Sequence, residues 1–461
     1  MVKPFLKSFE IQGLFGYKNI LLDFQSNVKI LVGENGFGKT TILNALYYLL
    51  KADYSNLQRI KFSVIRIAFD DSRKYEFSFE SLKSYCRYLL RQKEQEGGLL
   101  SYLKNNVDSS VINQLLKEFE KGPDTFLNYI KKKYKEESKE NSIFSHIPSE
   151  FVYEAVRELY DTNITFKVFH EISTYVNSSG YRIIYYPTYR RIEEDIKNLL
   201  KLTPSPRHRV PSNNEVILSN DSIIKFGMAD VEKRIKRILE EISQSSIAGF
   251  ASVSGGMISR LLESPDTEQS KHKFNLDEIK IVLSRVGDNM SQSDKDKILA
   301  QLSEDESLSQ QNQFLRYFLD QLLSVYKRQE KYDQAIKNFV NVCNRYFNDK
   351  YFVYNESSVS LNIYRKNTSS NNDVIELKQL SSGEKQIISI FSQLYLELDK
   401  KFVILFDEPE LSLSIYWQEK LLPDMMAAES CAFMLCVTHS PFIFDNELQK
   451  ETISISTCSH E

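Results

Sequence analysis

The stretch VGENGFGKTT, residues Val32–Thr41, separates the apolar run VKILV from a second apolar run, ILNALYYLL. Its spacing, Gly33-x-x-x-x-Gly38-Lys39-Thr40, is that of a P-loop, in which backbone N–H groups surround phosphate oxygens and glycines permit close approach. A strand before the loop and a helix after it are the context that this motif requires. The sequence therefore predicts a phosphate-binding turn, and an ordinary glycine-rich turn with an incidental lysine is the less favoured alternative.

The P-loop residues have distinct expected roles. Lys39 is expected to reach the β- and γ-phosphates of a nucleotide, and the Thr40 hydroxyl is expected to ligate Mg²⁺. The helix that starts near Thr41 adds the positive end of its dipole. The predicted nucleotide-binding residues of this turn are Gly33, Asn35, Gly36, Gly38, Lys39, Thr40 and Thr41.

Composition limits the class of protein. The chain has 461 residues, 42% hydrophobic and 26% charged, with a net charge of -3, so bulk charge does not indicate a nucleic-acid coat protein. No apolar segment approaches the roughly 18 residues of a membrane span, and the first residues lack the apolar stretch of a signal peptide. We expect a cytoplasmic protein without a membrane partner. The five cysteines form no metal-binding or disulfide spacing.

Alternating and helical patterns divide the chain into six segments. Strand patterns flank the P-loop, two long segments are helical and charged, and strand patterns return near residue 181 and after residue 348. The predicted segments are an N-terminal part of the core (1–80), a helical insertion (81–175), a return strand and loop (176–200), a connector (201–227), a second helical insertion (228–347) and a C-terminal part of the core (348–461).

A basic cluster lies in the second helical insertion. Val231, Ile235, Ile238, Leu239 and Ile242 form one apolar helical stripe, which indicates packing. Four basic residues are predicted to face elsewhere, namely Lys233, Arg234, Lys236 and Arg237. They could contact DNA phosphates, although a solvated polar face is the commoner meaning of such a cluster.

The run KFVILFDEPE, Lys401–Glu410, supplies a second half for the nucleotide site. It reads as a buried parallel strand that ends in two carboxylates, the Walker B arrangement. Asp407 is predicted to hold Mg²⁺ directly or through water. Glu408 is predicted to polarise the attacking water.

The segment LSSGEKQIISIF, about twenty residues earlier, resembles the signature of the ABC-type ATPases. That signature, LSGGQ or LSGGE, is matched by Leu380, Ser381, Ser382, Gly383 and Glu384, with serine in place of its second glycine. Ser381 and the N–H groups near Gly383 suit a γ-phosphate at a helix start. A plain helix cap is the alternative for this segment taken alone.

His439 completes the resemblance. It follows an apolar strand in CVTHSPF and is similar to the histidine that senses the γ-phosphate in this family. The resemblance implies an α/β ABC-type ATPase head, a P-loop mixed sheet flanked by helices with an antiparallel β lobe, carrying large helical insertions. It also implies ATP and Mg²⁺ as cofactors, and Glu408 and His439 as catalytic residues. Ser381, Gly383 and Glu384 of one protomer are then expected to meet the ATP of another, in a head-to-head dimer or higher homo-oligomer.

Within the ABC-type ATPases, the motifs look most like the RecF/OLD-type ATPases of bacterial antiphage defence. The segments YYPTYRRIE, LSSGEKQ, DEPELSL and VTHSPF carry this likeness, in particular to the PtuA family of Septu systems. That family implies a sensor and scaffold that controls a separate nuclease of HNH type. The alternatives are a RecF- or SMC-like repair ATPase that clamps DNA, and the ATPase subunit of a PARIS-like defence system. A transporter subunit is disfavoured, because YYPTYRR lacks the expected glutamine.

Overall fold

We describe the fold from a computed structural model. It describes residues 5–34, 36–71, 73–94, 109–136, 149–187, 228–262, 274–287, 290–304, 313–366 and 374–460. The chain divides into two compact units. The first unit comprises residues 1–223, 401–411 and 432–461, and the second comprises residues 224–400 and 412–431.

Twelve strands lie in the described part of the chain. Their bounds are β1 Leu6–Leu14, β2 Lys18–Asp23, β3 Val28–Val32, β4 Val64–Phe69, β5 Lys74–Ser78, β6 Tyr181–Tyr186, β7 Lys350–Asn355, β8 Ser360–Arg365, β9 Lys401–Asp407, β10 Cys431–Thr438, β11 Thr452–Ser454 and β12 Ser459–His460.

Thirteen α-helices lie in the same residues. Their bounds are α1 Lys39–Leu50, α2 Tyr54–Leu57, α3 Phe79–Glu94, α4 Ser109–Glu120, α5 Pro123–Glu136, α6 Ser149–Ser178, α7 Met228–Leu262, α8 Leu276–Arg285, α9 Gln292–Glu304, α10 Gln313–Asn344, α11 Ser382–Leu396, α12 Ile415–Met426 and α13 Ile455–Cys458. None of them combines the length and apolar character needed to cross a bilayer.

The first unit is built on a sheet with the strand order β11-β3-β10-β9-β6. β3 pairs in parallel with β10 and with β11, and β6 pairs in parallel with β9. Six of the seven residues of β9 and seven of the eight residues of β10 are buried, as expected for strands covered on both faces. This burial explains why both strands read as continuous apolar runs in the sequence.

A second sheet of the first unit has the order β12-β2-β1-β4-β5. β1 pairs antiparallel with β2 and β4, and β4 pairs antiparallel with β5. The strand patterns predicted to flank the P-loop thus form an antiparallel pair on either side of Gly16 and a hairpin of β4 and β5. Together the two sheets and their helices confirm the predicted α/β fold with an antiparallel β lobe and helical insertions.

The second unit contains α7 to α12 and the antiparallel hairpin β7–β8. A buried polar network ties its elements together. Arg285 of α8 lies 2.6 Å from the Asp333 carboxylate and donates to Gln329 at 2.9 Å, and Tyr354 of β7 also donates to Asp333. The Arg285 and Asp333 side chains are only 4% and 2% exposed. Because both charges are removed from water, each depends on the other.

The basic cluster on α7 differs from its prediction at one position. The Arg234 side chain is 14% exposed, lies 2.8 Å from the Glu397 carboxylate and donates to Ser392. Lys233, Lys236 and Arg237 are exposed. The expectation of four outward-facing basic residues was therefore wrong for Arg234, which forms an ion pair inside the second unit, a partner that helical periodicity alone does not reveal.

The start of α11 is packed closely in the second unit. Ser381 caps the helix, and its hydroxyl accepts from the Glu384 N–H while the Glu384 carboxylate accepts from the Ser381 N–H. A Cβ at Gly383 would lie 2.5 Å from the Ser412 carbonyl oxygen and 3.1 Å from the Trp417 ring. Glycine is therefore required here by close backbone approach.

Substitution Asp333→Ala tests the buried network. It leaves the Arg285 guanidinium buried without its partner, so we expect a loss of about 3 to 5 kcal/mol in the free energy of unfolding. Urea unfolding followed by the fluorescence of Trp417, the single tryptophan of the chain, measures it. Asp277→Ala is the control, because the Asp277 side chain is 87% exposed beside Lys280, and its unfolding midpoint should match the parent. A similar small loss in both variants would contradict the role of the network.

Substitution Gly383→Ala tests the packing at the start of α11. The added methyl group meets a backbone oxygen that cannot move alone, so we expect a loss of about 1 to 3 kcal/mol in stability. Gly255→Ala in α7 is the matched control, since nothing lies within 4 Å of a Cβ there and alanine favours a helix by up to about 1 kcal/mol. Urea unfolding of both variants gives the comparison, and equal midpoints would count against the close packing.

Candidate functional site

The P-loop connects β3 to α1 in the first unit. Gly36 and Gly38 adopt left-handed backbone conformations with φ of 85° and 91°, which glycine enters at little cost. Gly38 is also the residue before α1, and a Cβ there would lie 2.9 Å from the Phe15 ring. The two glycines are thus fixed by backbone geometry and, at Gly38, by packing against the β1–β2 turn.

The start of α1 is suited to an anion. The first backbone N–H groups of a helix have no acceptor in a preceding turn, and they carry the positive end of the helix dipole. Gly38 supplies no side-chain cap, and the first turn, which includes Thr40 and Thr41, contains no acidic residue. These N–H donors therefore suit a phosphate group.

Lys39 is buried, and its ammonium contacts three groups. It donates to the carbonyl oxygens of Gly33 at 2.5 Å and Glu34 at 3.0 Å, and it lies 2.6 Å from Nε2 of His439. The Lys39 ammonium also lies 3.2 Å from Nδ1 of the same ring. The geometry brings the P-loop lysine and the predicted sensor histidine together.

Carboxylates balance the charge of Lys39. Burial lowers the pKa of the Lys39 ammonium, and the carboxylates of Glu408, Asp407 and Glu410 oppose this effect. The Lys39 ammonium can exchange its carbonyl acceptors for the oxygens of an anionic group, because hydrogen bonds to charged oxygens are stronger.

Thr40 and Asp407 meet across the parallel sheet. The Thr40 hydroxyl donates to one carboxylate oxygen of Asp407 at 3.0 Å, and the Tyr185 hydroxyl donates to the other at 3.3 Å. Tyr185 stacks on Tyr47 of α1, with ring centroids 5.2 Å apart. Asp407, itself 1% exposed, is thereby held between β6 and the start of α1.

The oxygen donors of this pair fit Mg²⁺. Among the described residues no group of three His, Cys, Asp or Glu side chains could hold a metal ion. Mg²⁺, however, is commonly bound by one or two protein oxygens together with substrate phosphates and waters. Thr40 and Asp407 offer such a partial set beside the P-loop, and the anion-binding N–H groups of α1 lie next to it.

Glu408 has a strained backbone. Its φ is 50°, a left-handed conformation that is costly for a residue with a side chain and that is found most often at functional sites. Its N–H donates to the Val437 carbonyl at 2.9 Å, and its carboxylate lies 3.6 Å from Nε2 of His439. The fold therefore holds the second Walker B carboxylate beside the predicted sensor.

Sequence reasoning did not assign two residues that the structure places at this site. Tyr185 reaches Asp407, as described above. Glu410 accepts hydrogen bonds from the Thr438 hydroxyl, the His439 N–H and the Ser440 N–H. Both residues stand within segments already singled out by their motifs, but their partners are distant in sequence.

The signature residues belong to the second unit. Ser381 is the N-cap of α11, and the Glu384 carboxylate lies 2.9 Å from the Lys350 ammonium in addition to its cap contact. Burial opposes the charge of Lys350, but the hydrogen bond from Lys350 to Glu384 leaves the pKa of Lys350 raised overall. Glu384 thus supports the start of α11, where Ser381 and Gly383 lie. The nucleotide-binding role of these three residues stays a prediction.

The structure brings together most of the predicted residues of the first unit. The contacts of Lys39, Thr40, Asp407, Glu408 and His439 link three loops that follow β3, β9 and β10. Gly33 and Gly38 flank this cluster in the P-loop, and Gly36 lies between them. Asn35 lies outside the described residues.

The chain is similar to several known proteins. DNA replication and repair protein RecF of Oenococcus oeni is 38% identical over 48 residues, which span 10% of this chain and 13% of RecF. A solved Smc head domain of Pyrococcus furiosus, bound to a domain of ScpA, gives a TM-score of 0.33 at 14% identity, with 98% of this chain and 93% of that chain covered. A Pyrococcus yayanosii Smc head gives 0.29 at 12% identity, with 98% and 95% covered. Scores this low support no conclusion about function.

A family model decides the assignment. The model described as AAA ATPase domain, AAA_15, matches residues 5–444 and so includes the P-loop, the carboxylates after β9 and His439. Because this match extends over nearly the whole chain, the protein belongs to the AAA ATPase domain family.

Proposed function

We propose that this protein binds ATP with Mg²⁺ and hydrolyses it slowly to ADP and phosphate. The observation that carries the proposal is the meeting of Lys39, Thr40, Asp407, Glu408 and His439 in one unit. A lysine at the start of a helix, oxygen ligands for Mg²⁺ and a carboxylate to orient water are groups that recur in ATPases that transfer a phosphoryl group to water. Membership of an ATPase family supports the same conclusion.

Each residue has a proposed role. Lys39 exchanges its contacts with the Gly33 and Glu34 carbonyls for phosphate oxygens, to which charge-assisted hydrogen bonds are stronger. Thr40 and Asp407 hold Mg²⁺, which when bound neutralises charge on the phosphates. Glu408 polarises the attacking water, and His439 senses the γ-phosphate.

We further propose that the protein is the sensor and scaffold subunit of an antiphage defence complex. It self-associates, and it controls a separate nuclease subunit of HNH type, as in Septu systems. The support for this step is the likeness of the segments YYPTYRRIE, LSSGEKQ, DEPELSL and VTHSPF to those of defence ATPases. In the proposed assembly, Ser381 and Gly383 of one protomer bind the ATP held by the P-loop of another, so ATP binding favours association.

A second candidate function is a RecF- or SMC-like ATPase that clamps DNA. The short match to RecF favours it. The exposed basic residues Lys233, Lys236 and Arg237 on α7 offer phosphate contacts. In that case DNA would stimulate hydrolysis without any protein partner, because a clamp couples its two binding sites directly.

Substitution Glu408→Gln tests the hydrolytic role. The amide cannot polarise water as a carboxylate does, so we expect hydrolysis to fall by about 100-fold or more while ATP binding is retained. Single-turnover release of radiolabelled phosphate and equilibrium binding of ATP measure the two effects. Glu447→Gln, a matched change at an exposed residue of the same unit, should leave both values unchanged. An unaltered hydrolysis rate in the Glu408 variant would exclude the assigned role.

Substitution Lys39→Ala separates binding from chemistry. It removes a charged hydrogen-bond donor worth about 1.5 to 3 kcal/mol, so we expect the dissociation constant of ATP to rise by about 10- to 100-fold. Titration calorimetry at fixed Mg²⁺ gives this value. Affinity equal to that of the parent would show that ATP does not use the P-loop.

Co-expression with the product of the neighbouring gene, followed by native mass measurement, tests the wider proposal. We expect a stable complex with a small nuclease and an ATP-dependent change in the number of ATPase chains, abolished by Lys39→Ala. A chain that purifies alone and hydrolyses ATP faster on addition of duplex DNA would instead support the clamp.

A further inference from the structure

We infer that Glu410 is a positioning residue that holds His439 in place and couples it to Glu408. The inference rests on the proposed function, because it concerns how the hydrolytic site is held. Glu410 is the last residue of the run that carries Asp407 and Glu408, and its carboxylate reaches the loop that follows β10. The two loops are therefore joined by the Glu410 side chain.

The contacts of Glu410 form a clamp. One carboxylate oxygen accepts from the Thr438 hydroxyl at 2.8 Å, and the other accepts from the N–H groups of His439 at 2.9 Å and Ser440 at 3.2 Å. The Ser440 N–H also donates to the Thr438 hydroxyl oxygen at 3.0 Å. Three consecutive residues are thus fixed by one carboxylate, whose charge strengthens each hydrogen bond.

The clamp holds the backbone of His439, because Glu410 accepts from its main-chain N–H. The imidazole ring contacts other residues of the candidate site. The ring lies 2.6 Å from the Lys39 ammonium and 3.6 Å from Glu408. Glu410 therefore positions the imidazole through the main chain of His439.

A second link ties the same loops. The Glu408 N–H donates to the Val437 carbonyl, and the Leu411 N–H donates back to the Glu408 carbonyl at 3.3 Å. The turn that carries Glu408 is thus closed on itself and attached to the end of β10 at two points. Because Glu408 has a φ of 50°, this turn needs such restraint to hold its conformation. The loop of Glu408 and the loop of His439 are therefore linked by hydrogen bonds from the main chain of Glu408 and from the side chain of Glu410.

Hydrogen exchange tests the clamp without any need for hydrolysis. In Glu410→Ala the His439 N–H loses its acceptor, and the Ser440 N–H keeps only the Thr438 hydroxyl oxygen. We therefore expect exchange in peptides covering residues 436–442, followed by mass spectrometry, to accelerate by at least about 10-fold at His439 and by less at Ser440. Glu410→Gln keeps an acceptor oxygen for both groups, so its exchange should stay near that of the parent. Glu447→Ala is the control and should not change it. Unaltered exchange in Glu410→Ala would overturn the inference.

A double-mutant cycle tests the positioning role. We expect Glu410→Ala to lower kcat for ATP by about 10-fold with little change in KM, and to have no further effect in a His439→Ala background, because it acts through that residue. Glu410→Gln should restore kcat to within about 3-fold of the parent. An equal loss in both backgrounds would show a role unrelated to His439, and a loss in Glu410→Gln as large as in Glu410→Ala would show that the charge matters and the clamp does not.

Thr438→Val is a second test of the clamp, which serves if the Glu410→Ala variant does not fold. It removes one of the three donors with little change of shape, and we expect a smaller acceleration of exchange at His439 and Ser440, of about 2- to 5-fold. No acceleration in Thr438→Val would contradict the clamp. If the parent protein does not hydrolyse ATP, the proposed function fails, while the exchange measurements still decide whether Glu410 holds this loop.

Discussion

The hydrogen bond from Thr40 to Asp407 is the constraint on which the candidate site depends. It joins residues 367 positions apart in the chain at a distance of 3.0 Å. The strand order makes this possible, because β10 alone separates the P-loop strand β3 from the Walker B strand β9. The loops that follow these three strands therefore meet at one edge of the sheet, where ligands of such sheets characteristically bind.

Charge balance at that edge explains the contacts of Lys39. A buried ammonium without partners is costly, and here carbonyl oxygens, an imidazole and nearby carboxylates compensate it. The two carbonyl oxygens are neutral, and they accept weaker hydrogen bonds than phosphate oxygens do. The same arrangement that stabilises the first unit therefore leaves Lys39 able to exchange partners, which is what a nucleotide-binding lysine needs.

The second unit shows how one short segment can satisfy two requirements. The capping box of Ser381 and Glu384 stabilises the start of α11, and the packing of Gly383 against Ser412 fixes the path of the loop. The cap uses the Glu384 N–H, which is one of the first N–H groups of the helix. A helix cap and a phosphate-binding signature were alternative interpretations of LSSGE, and the geometry is compatible with both at once.

Local patterns in the sequence were enough to predict the elements that carry the site. The P-loop between a strand and a helix, the apolar run before Asp407 and the strand before His439 follow from glycine spacing and periodicity, which act over a few residues. The hairpins β4–β5 and β7–β8 were predictable for the same reason. The prediction for Arg234 was wrong because helical periodicity predicts only which side of the helix a residue lies on. It does not reveal that the Glu397 carboxylate, 163 positions away in the sequence, lies beside Arg234.

The sequence by itself thus determined the α/β class, the P-loop and the chemical types of residue available for phosphate and metal. Only the tertiary structure decided that the Tyr185 hydroxyl donates to Asp407 and that Glu408 has a left-handed backbone conformation. It also decided that the Glu410 carboxylate accepts hydrogen bonds from Thr438, His439 and Ser440. These features depend on how parallel strands are ordered in the sheet and on distances between side chains far apart in the chain. Hydrogen bonds are made over about 3 Å of space whatever the separation in sequence, so no local pattern encodes them.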